Sequence, residues 1–218
     1  MITYTPPPDK GLDILYADNL LLAINKPCGL LSVPGRGKDK QDCVISRVLK
    51  EYPSALIVHR LDMSTSGILV LALNKNIQRL LSEMFALQKI KKKYTAIVDG
   101  VLAKNDGEIT QALICDWPNR PKQKVDNFIG KASCTCYRVI KSDQENNTSR
   151  VELEPKTGRT HQLRVHMQYL GHAILGDELY ASNEVIRKSK RLMLHASTIA
   201  FQHPGDNSIL RIDSTVPF

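Results

Sequence analysis

The chain is expected to adopt an α+β fold, with a mixed, mainly antiparallel central sheet flanked by helices and loops. Three observations predict it. Apolar or alternating runs bounded by turn residues outnumber segments with helical periodicity. Those runs cluster instead of alternating regularly with helices, which argues against a doubly wound parallel sheet. The 218 residues, 42% of them hydrophobic, can bury one core or a core with modest lobes.

Residues 1–11 carry Pro6, Pro7 and Pro8 without periodicity and are predicted to form an extended N-terminal arm. A single domain is expected over 12–218. Ile14–Tyr16 and Leu20–Asn25, split by a turn-like Ala-Asp-Asn, predict paired strands. Asp42 is the expected N-cap of a helix with Val44, Ile45, Val48, Leu49 and Tyr52 at helical spacing, ended by Pro53. Ile68–Leu73 is a continuous apolar run of the length of a strand buried on both faces. Asn74 can cap a second helix carrying Ile77, Leu80, Leu81, Met84 and Phe85, followed by a basic segment and a strand from Tyr94 to Val98. Further strands are predicted at Ile109–Ile114, Ala132–Val139, Arg150–Glu154, Leu192–Phe201 and Ile209–Ile212. Thr160–Leu170 reads as a helix, because Leu163, Met167 and Leu170 share a face and Gly171 can take the left-handed position after its end.

Lys and Arg total 30 against 22 Asp and Glu, a net charge of +8 that favours a polyanionic partner, nucleic acid first. Five scattered cysteines, with no Cys-x-x-Cys pair, suit neither a disulfide framework nor a zinc site and suggest a reducing cytoplasm. Cys134 and Cys136, two apart on a strand, are read as small core residues without chemistry. No basic leader precedes an apolar stretch and no apolar run approaches ~18 residues, so secretion and membrane spanning are not indicated.

Three polar clusters interrupt apolar structure: His59 to Asp62, Lys91 to Tyr94, and Gly158 to His166. Each alone is ambiguous, since an Asp followed by Ser and Thr is commonly a turn acceptor, a Tyr opening a strand is commonly packing, and a helical Arg is commonly solvated. Their sequence context carries more. The stretch His59-Arg-Leu-Asp-Met-Ser-Thr-Ser-Gly67, followed by an apolar strand, resembles the signature of the RluA-type pseudouridine synthases. Leu22-Ala-Ile-Asn-Lys-Pro-Cys-Gly-Leu30 resembles that family's first motif, Lys92-Lys-Tyr94 its tyrosine motif, and Gly158-Arg-Thr-His-Gln-Leu-Arg-Val-His166 its third. Ile114 to Val125 resembles a segment of its short, dual-specificity branch. The likeness covers nearly the whole chain in the family's order, with Cys28 in place of the small residue usual after Lys-Pro.

The resemblance implies isomerisation of uridine to pseudouridine in structured RNA, a 23S rRNA hairpin and a tRNA anticodon stem-loop, with no cofactor and no metal. With the first strand expected near residue 14, no N-terminal S4 domain of the kind longer relatives carry is expected. Asp62 is then the nucleophile, attacking either C1′ of the ribose or C6 of the uracil. A carboxylate enclosed with a base needs a neighbouring cation to stay ionised, and Arg164 matches the family's arginine in that role. Tyr94 matches the tyrosine that packs on the target base, and Arg60 the arginine that enters the stack as the nucleotide flips out. Lys92, Lys93, Arg120, Lys122, Lys124, Arg159 and His161 complete the expected RNA-binding set, with Lys89, Lys91, Arg187, Lys188, Lys190 and Arg191 as further phosphate contacts. Trp117 is expected to pack its loop, the alternative being that Trp117 and Asn119 contact splayed bases. His161, His166 and His195 do not form a metal set by spacing and are expected in structural hydrogen bonds. Two rivals remain at this stage: a non-catalytic basic RNA-binding protein, and a glycosidic hydrolase using a second carboxylate from Asp177-Glu178. A cytoplasmic monomer is the simplest state.

Overall fold

A computed structural model describes residues 4–218. The chain forms two compact units: one runs to Lys92 and takes back Ala196–Pro217, and the other comprises Lys93–His195 with Phe218. The α+β class holds in both.

In the first unit, β1 (Ile14–Ala17) pairs antiparallel with β2 (Leu21–Lys26), which pairs with β4 (Ser66–Ala72) from Leu21↔Ala72 to Lys26↔Gly67. All seven residues of β4 are buried, which accounts for its unbroken apolar sequence. A short β3 (Leu56–Ile57) pairs with β4, and α2 (Lys75–Ala86) covers the sheet with Ile77 and Leu81. The Asn74 side chain accepts the Ile77 N–H at 3.0 Å, a cap worth about 1 kcal/mol. Leu80, predicted on the apolar face, is 40% exposed. The core is completed by Ile199 and Phe201 of β11 (Leu194–Gln202) and Ile212 of β12 (Ile209–Asp213).

The helix predicted after Asp42 is shorter and differently capped. α1 spans Val44–Val48 with Cys43 at the N-cap, its N–H donating to Ser46 Oγ at 2.9 Å. The Asp42 carboxylate is drawn off to the Arg47 guanidinium, accepting Nε–H and Nη2–H at 2.8 Å each. Arg47 also donates to the carbonyls of Pro7 and Pro8, and Tyr4 Oη donates to the Asp42 carbonyl, so the arm is strapped down. Met1–Thr3, part of the predicted arm, lie outside the described residues.

The second unit orders its strands β5 (Lys91–Asp99, from Lys93), β10 (Thr148–Pro155), β9 (Thr135–Asp143) and β6 (Asp106–Ile109), all antiparallel. Alternate burial along β10, with Ser149, Val151, Leu153 and Pro155 inside, is the period of a strand with one covered face. The single strand predicted over Ile109–Ile114 is two: β6 ends at Ile109, and β7 (Leu113–Cys115) pairs instead with β8 (Gln123–Val125). Between them, the Gln111 carbonyl accepts from Ser133 and the Ala112 N–H donates to Asn127, so those backbone groups leave the ladder. α3 (Gln162–Tyr169) starts two residues later than predicted, because His161 takes a left-handed conformation (φ 54°) that no α-helix propagates. Its end is as predicted, with Gly171 at φ 83°. Leu163 and Met167 bury it against Ala96, Val151 and Leu153, and a short α4 (Asn183–Arg187) follows.

Candidate active site

In the first unit, the loop bearing Asp62 is fastened on both sides by the first motif. The Ser32 hydroxyl donates to the Leu61 carbonyl at 2.7 Å and accepts the Leu61 N–H at 3.1 Å. The Gly29 N–H donates to the Met63 carbonyl at 2.8 Å, and the Cys28 thiol donates to the Ser64 carbonyl at 3.0 Å. Lys26, fully buried, contributes most. Its ammonium donates to the carbonyls of Leu30 at 2.6 Å, Pro27 at 2.9 Å and Met63 at 3.0 Å, engaging three donors at once. Sequence reasoning assigned Lys26 no role; the signal was a lysine ending an apolar strand.

His59 performs a different service. It accepts the Val70 N–H on Nε2 at 3.0 Å, beside the Ile57↔Leu71 pair where the β3–β4 ladder ends. Its proton must therefore sit on Nδ1. Burial, aided by the nearby Lys92 charge, lowers its pKa to about 3, so the ring stays neutral. Arg60 is exposed and Asp62 half-buried. Lys92 is half-buried, 5.8 Å from the Phe85 ring centre, and burial lowers its pKa. Gly67, closing the motif, has φ 109°, and a Cβ there would lie 2.3 Å from the Ala196 carbonyl oxygen. Only glycine admits that approach.

In the second unit, the third motif is a buried polar network. Asp177, fully buried, accepts Arg164 Nε–H and Nη2–H at 2.7 Å each and takes the N–H groups of Leu179 and Tyr180 on Oδ1. A guanidinium has five N–H donors, and this pair engages two of them while fixing its plane. The Arg164 guanidinium lies 5.1 Å from the centre of the Tyr180 ring, whose hydroxyl bonds His161 Nδ1 at 2.7 Å and accepts the Gln123 N–H at 2.8 Å. His161 and His166 face different partners, as their spacing requires. His166 Nε2 can only donate to the Gln111 carbonyl at 3.0 Å, so Nδ1 accepts from Thr135 at 2.9 Å. Gln162 joins Thr157, the Arg159 N–H, the Cys134 carbonyl and Thr135. Asp177, Tyr180 and Gln162 are the residues the sequence reading missed as organisers, since their partners lie in other elements.

Tyr94 stands on β5 opposite Leu153, half-buried against the second unit's core. Lys93 pairs with Glu152 at 3.0 Å, which Arg138 shares, and Lys188 pairs with Asp99, so neither is simply a solvated phosphate contact. Arg159 Nε–H donates to the Ala132 carbonyl at 3.0 Å. Arg120, Lys122 and Lys124 lie on or beside the β7–β8 hairpin. Trp117 does not pack that loop inward: it is 63% exposed, with the Arg120 guanidinium 3.9 Å from its ring centre. Beyond β8, the Asp126 carboxylate accepts the N–H groups of Phe128 and Ile129 in a turn on which Phe128 is fully exposed. A cavity of about 360 Å³ under the arm, lined by Pro7, Pro8, Ile24, Leu30, Val44 and Arg47 among others, contains none of the predicted residues.

Residues 20–169 match the family described as RNA pseudouridylate synthase. The chain belongs to that family. It is 51% identical over 207 residues to the dual-specificity RNA pseudouridine synthase RluA of Vibrio parahaemolyticus, covering 94% of this chain and 83% of that one. It is 47% identical to the RluA protein of Escherichia coli K12, across 100% of this chain and 99% of the other. Among solved structures, human RNA pseudouridylate synthase domain containing 1 superposes with a TM-score of 0.82 at 29% identity, over 98% of this chain and 87% of its own. The human domain containing 4 protein gives 0.73 at 26% identity, over 94% and 88%. This pseudouridine synthase is thus an isomerase acting on RNA.

Proposed function

We propose that the enzyme isomerises uridines in a 23S rRNA hairpin and in tRNA anticodon stem-loops, as a cytoplasmic monomer, with Asp62 as the nucleophilic carboxylate. Arg164 serves as the cation that keeps it ionised, Tyr94 packs on the target uracil and Arg60 replaces the flipped nucleotide in the stack. Lys92, Arg120, Lys122, Lys124, Arg159 and His161 contribute to RNA binding, together with Lys93. The observation that carries the assignment of Asp62 is the fastening of its loop at Leu61, Met63 and Ser64, which fixes the backbone of a residue that must meet one atom of the substrate.

The rRNA and tRNA targets rest on the dual-specificity names of the bacterial relatives, and among the described residues no helix is long and apolar enough to cross a membrane. Asp177 is unsuited to be the second carboxylate of a glycosidase, because both its oxygens already hold Arg164, which leaves only the exposed Glu178 for the hydrolytic reading. The purified protein, incubated with RNA tritiated at uridine C5, is expected to release tritium from both stem-loops, and Asp62→Asn is not, while keeping its RNA affinity. Undiminished release by Asp62→Asn would overturn the assignment, and free uracil among the products would point to hydrolysis.

A further inference from the structure

On the outer face of the second unit's sheet, Cys134, Cys136 and Glu108 converge from adjacent strands. Their two sulfurs and one carboxylate oxygen all lie within 4.8 Å of one another, with Cys134 Sγ 3.3 Å from Glu108 Oε1. The two cysteines were expected in the core; both are instead half-exposed, and Thr135 between them is fully buried. The physical reason is the register. Thr135 points inward to His166 and Gln162, so its neighbours must point outward. Glu108 lies directly opposite Cys136 across the β6–β9 pair and therefore shares its face.

We propose that Cys134, Cys136 and Glu108 form a binding site for a borderline-soft divalent cation, zinc above all, with its fourth position open to solvent. Zn–S bonds of about 2.3 Å and Zn–O bonds of about 2.1 Å at the tetrahedral angle place sulfur and oxygen ligands about 3.6 Å apart and two sulfurs about 3.8 Å apart. The 3.3 Å Cys134–Glu108 contact needs only a few tenths of an ångström to reach that geometry. The frame is already built: the Cys134 N–H is held by Thr157 Oγ1 at 3.0 Å and its carbonyl by Gln162 at 2.9 Å. Two thiolates and a carboxylate select zinc over magnesium or calcium, which take all-oxygen sets. The ion displaces the thiol protons, one of which Cys134 now directs at Glu108, and ties β6 to β9. The proposal does not rest on the role of Asp62, so its failure would leave the isomerase reading intact.

The test is metal uptake by the full chain under a non-chelating, non-thiol reductant, read by equilibrium dialysis with zinc and by the thiolate charge-transfer absorption of cobalt. One equivalent is expected for the wild type and for Cys28→Ser/Cys115→Ser, with a rise in Tm on adding zinc. Cys134→Ser/Cys136→Ser should lose the band, and Glu108→Gln should bind at least about tenfold more weakly. Uptake undiminished in the Cys134→Ser/Cys136→Ser protein, equal affinity in Glu108→Gln, or no uptake by wild type at micromolar zinc would each overturn the site.

Discussion

Asp177→Asn isolates the most consequential buried pair in the second unit. The two side chains are 5% and 0% exposed and meet through two 2.7 Å bonds. Asparagine is nearly isosteric and can still accept on Oδ1 from Arg164 Nη2–H, Leu179 and Tyr180. Its NH₂ then faces Arg164 Nε–H, donor against donor, and the guanidinium loses its counter-charge. Breaking a buried pair from one side costs about 3–5 kcal/mol. A side chain released by ~1 Å from its working geometry costs about 100-fold in rate. Both are measurable: denaturant unfolding for the first, tritium release per folded molecule for the second. The double replacement Arg164→Met/Asp177→Leu sharpens the reading. It leaves no uncompensated charge but orphans the Leu179 and Tyr180 N–H groups, so it should recover part of the lost stability and none of the activity. If Asp177→Asn unfolds within about 1 kcal/mol of wild type, the buried pair carries less than the burial and geometry require. If it also turns over within a few-fold of wild type, Arg164 does not depend on Asp177 for its placement.

Gly67→Ala should fail to accumulate as folded protein, since its Cβ would overlap the Ala196 backbone at a left-handed φ; a soluble variant with a native circular dichroism spectrum would refute this. Below pH 6.5 stability should fall, because unfolded histidines take up protons that His59 (pKa about 3) and His195 (about 4) refuse in the native state. Each such ring adds about 1.4 kcal/mol per pH unit between those limits, so the contribution is complete above pH 6.5 and a flat urea midpoint from pH 7 to 5 would contradict it. Phe128→Ala should weaken stem-loop binding by about 1–3 kcal/mol through lost base stacking while leaving Tm unchanged, as fluorescence titration would report.

The pattern of elements was legible where one-dimensional periodicity matches the burial that results. β4 reads as a double-sided core strand and is one; Asn74 and Gly171 bracket their helices as expected. Two misreadings come from side chains that compete for the same groups. Asp42 is a plausible cap until Arg47 claims its carboxylate, and Ile109–Ile114 is a plausible strand until Ser133, Asn127 and His166 take its middle backbone groups. The same holds for the chemistry. The clusters holding Asp62, Tyr94 and Arg164 stand out because polar residues interrupt apolar runs, while the roles expected of them come from the resemblance; Lys26 reaches Met63, 37 residues away, and Arg164 reaches Asp177, 13 away, links that no local pattern announces. Cys134 and Cys136 were assigned to the wrong face because alternation says which residues share a side of a strand, not which side is inward.

The fastening of the Asp62 loop also sets how it opens. Two of its fastenings are not local: the Gly29 N–H ends on the Met63 carbonyl and the Leu61 N–H on Ser32, each bond spanning some thirty residues, and the buried Lys26 ammonium reaches the Met63 carbonyl as well. Solvent deuterium can reach those amides only when the strands on both sides part, so they belong with the slowest-exchanging class, alongside β2 and β4. A segment that in many enzymes is the most labile part of the molecule is thus expected, at Leu61 and Gly29, to exchange as slowly as the strands that carry it.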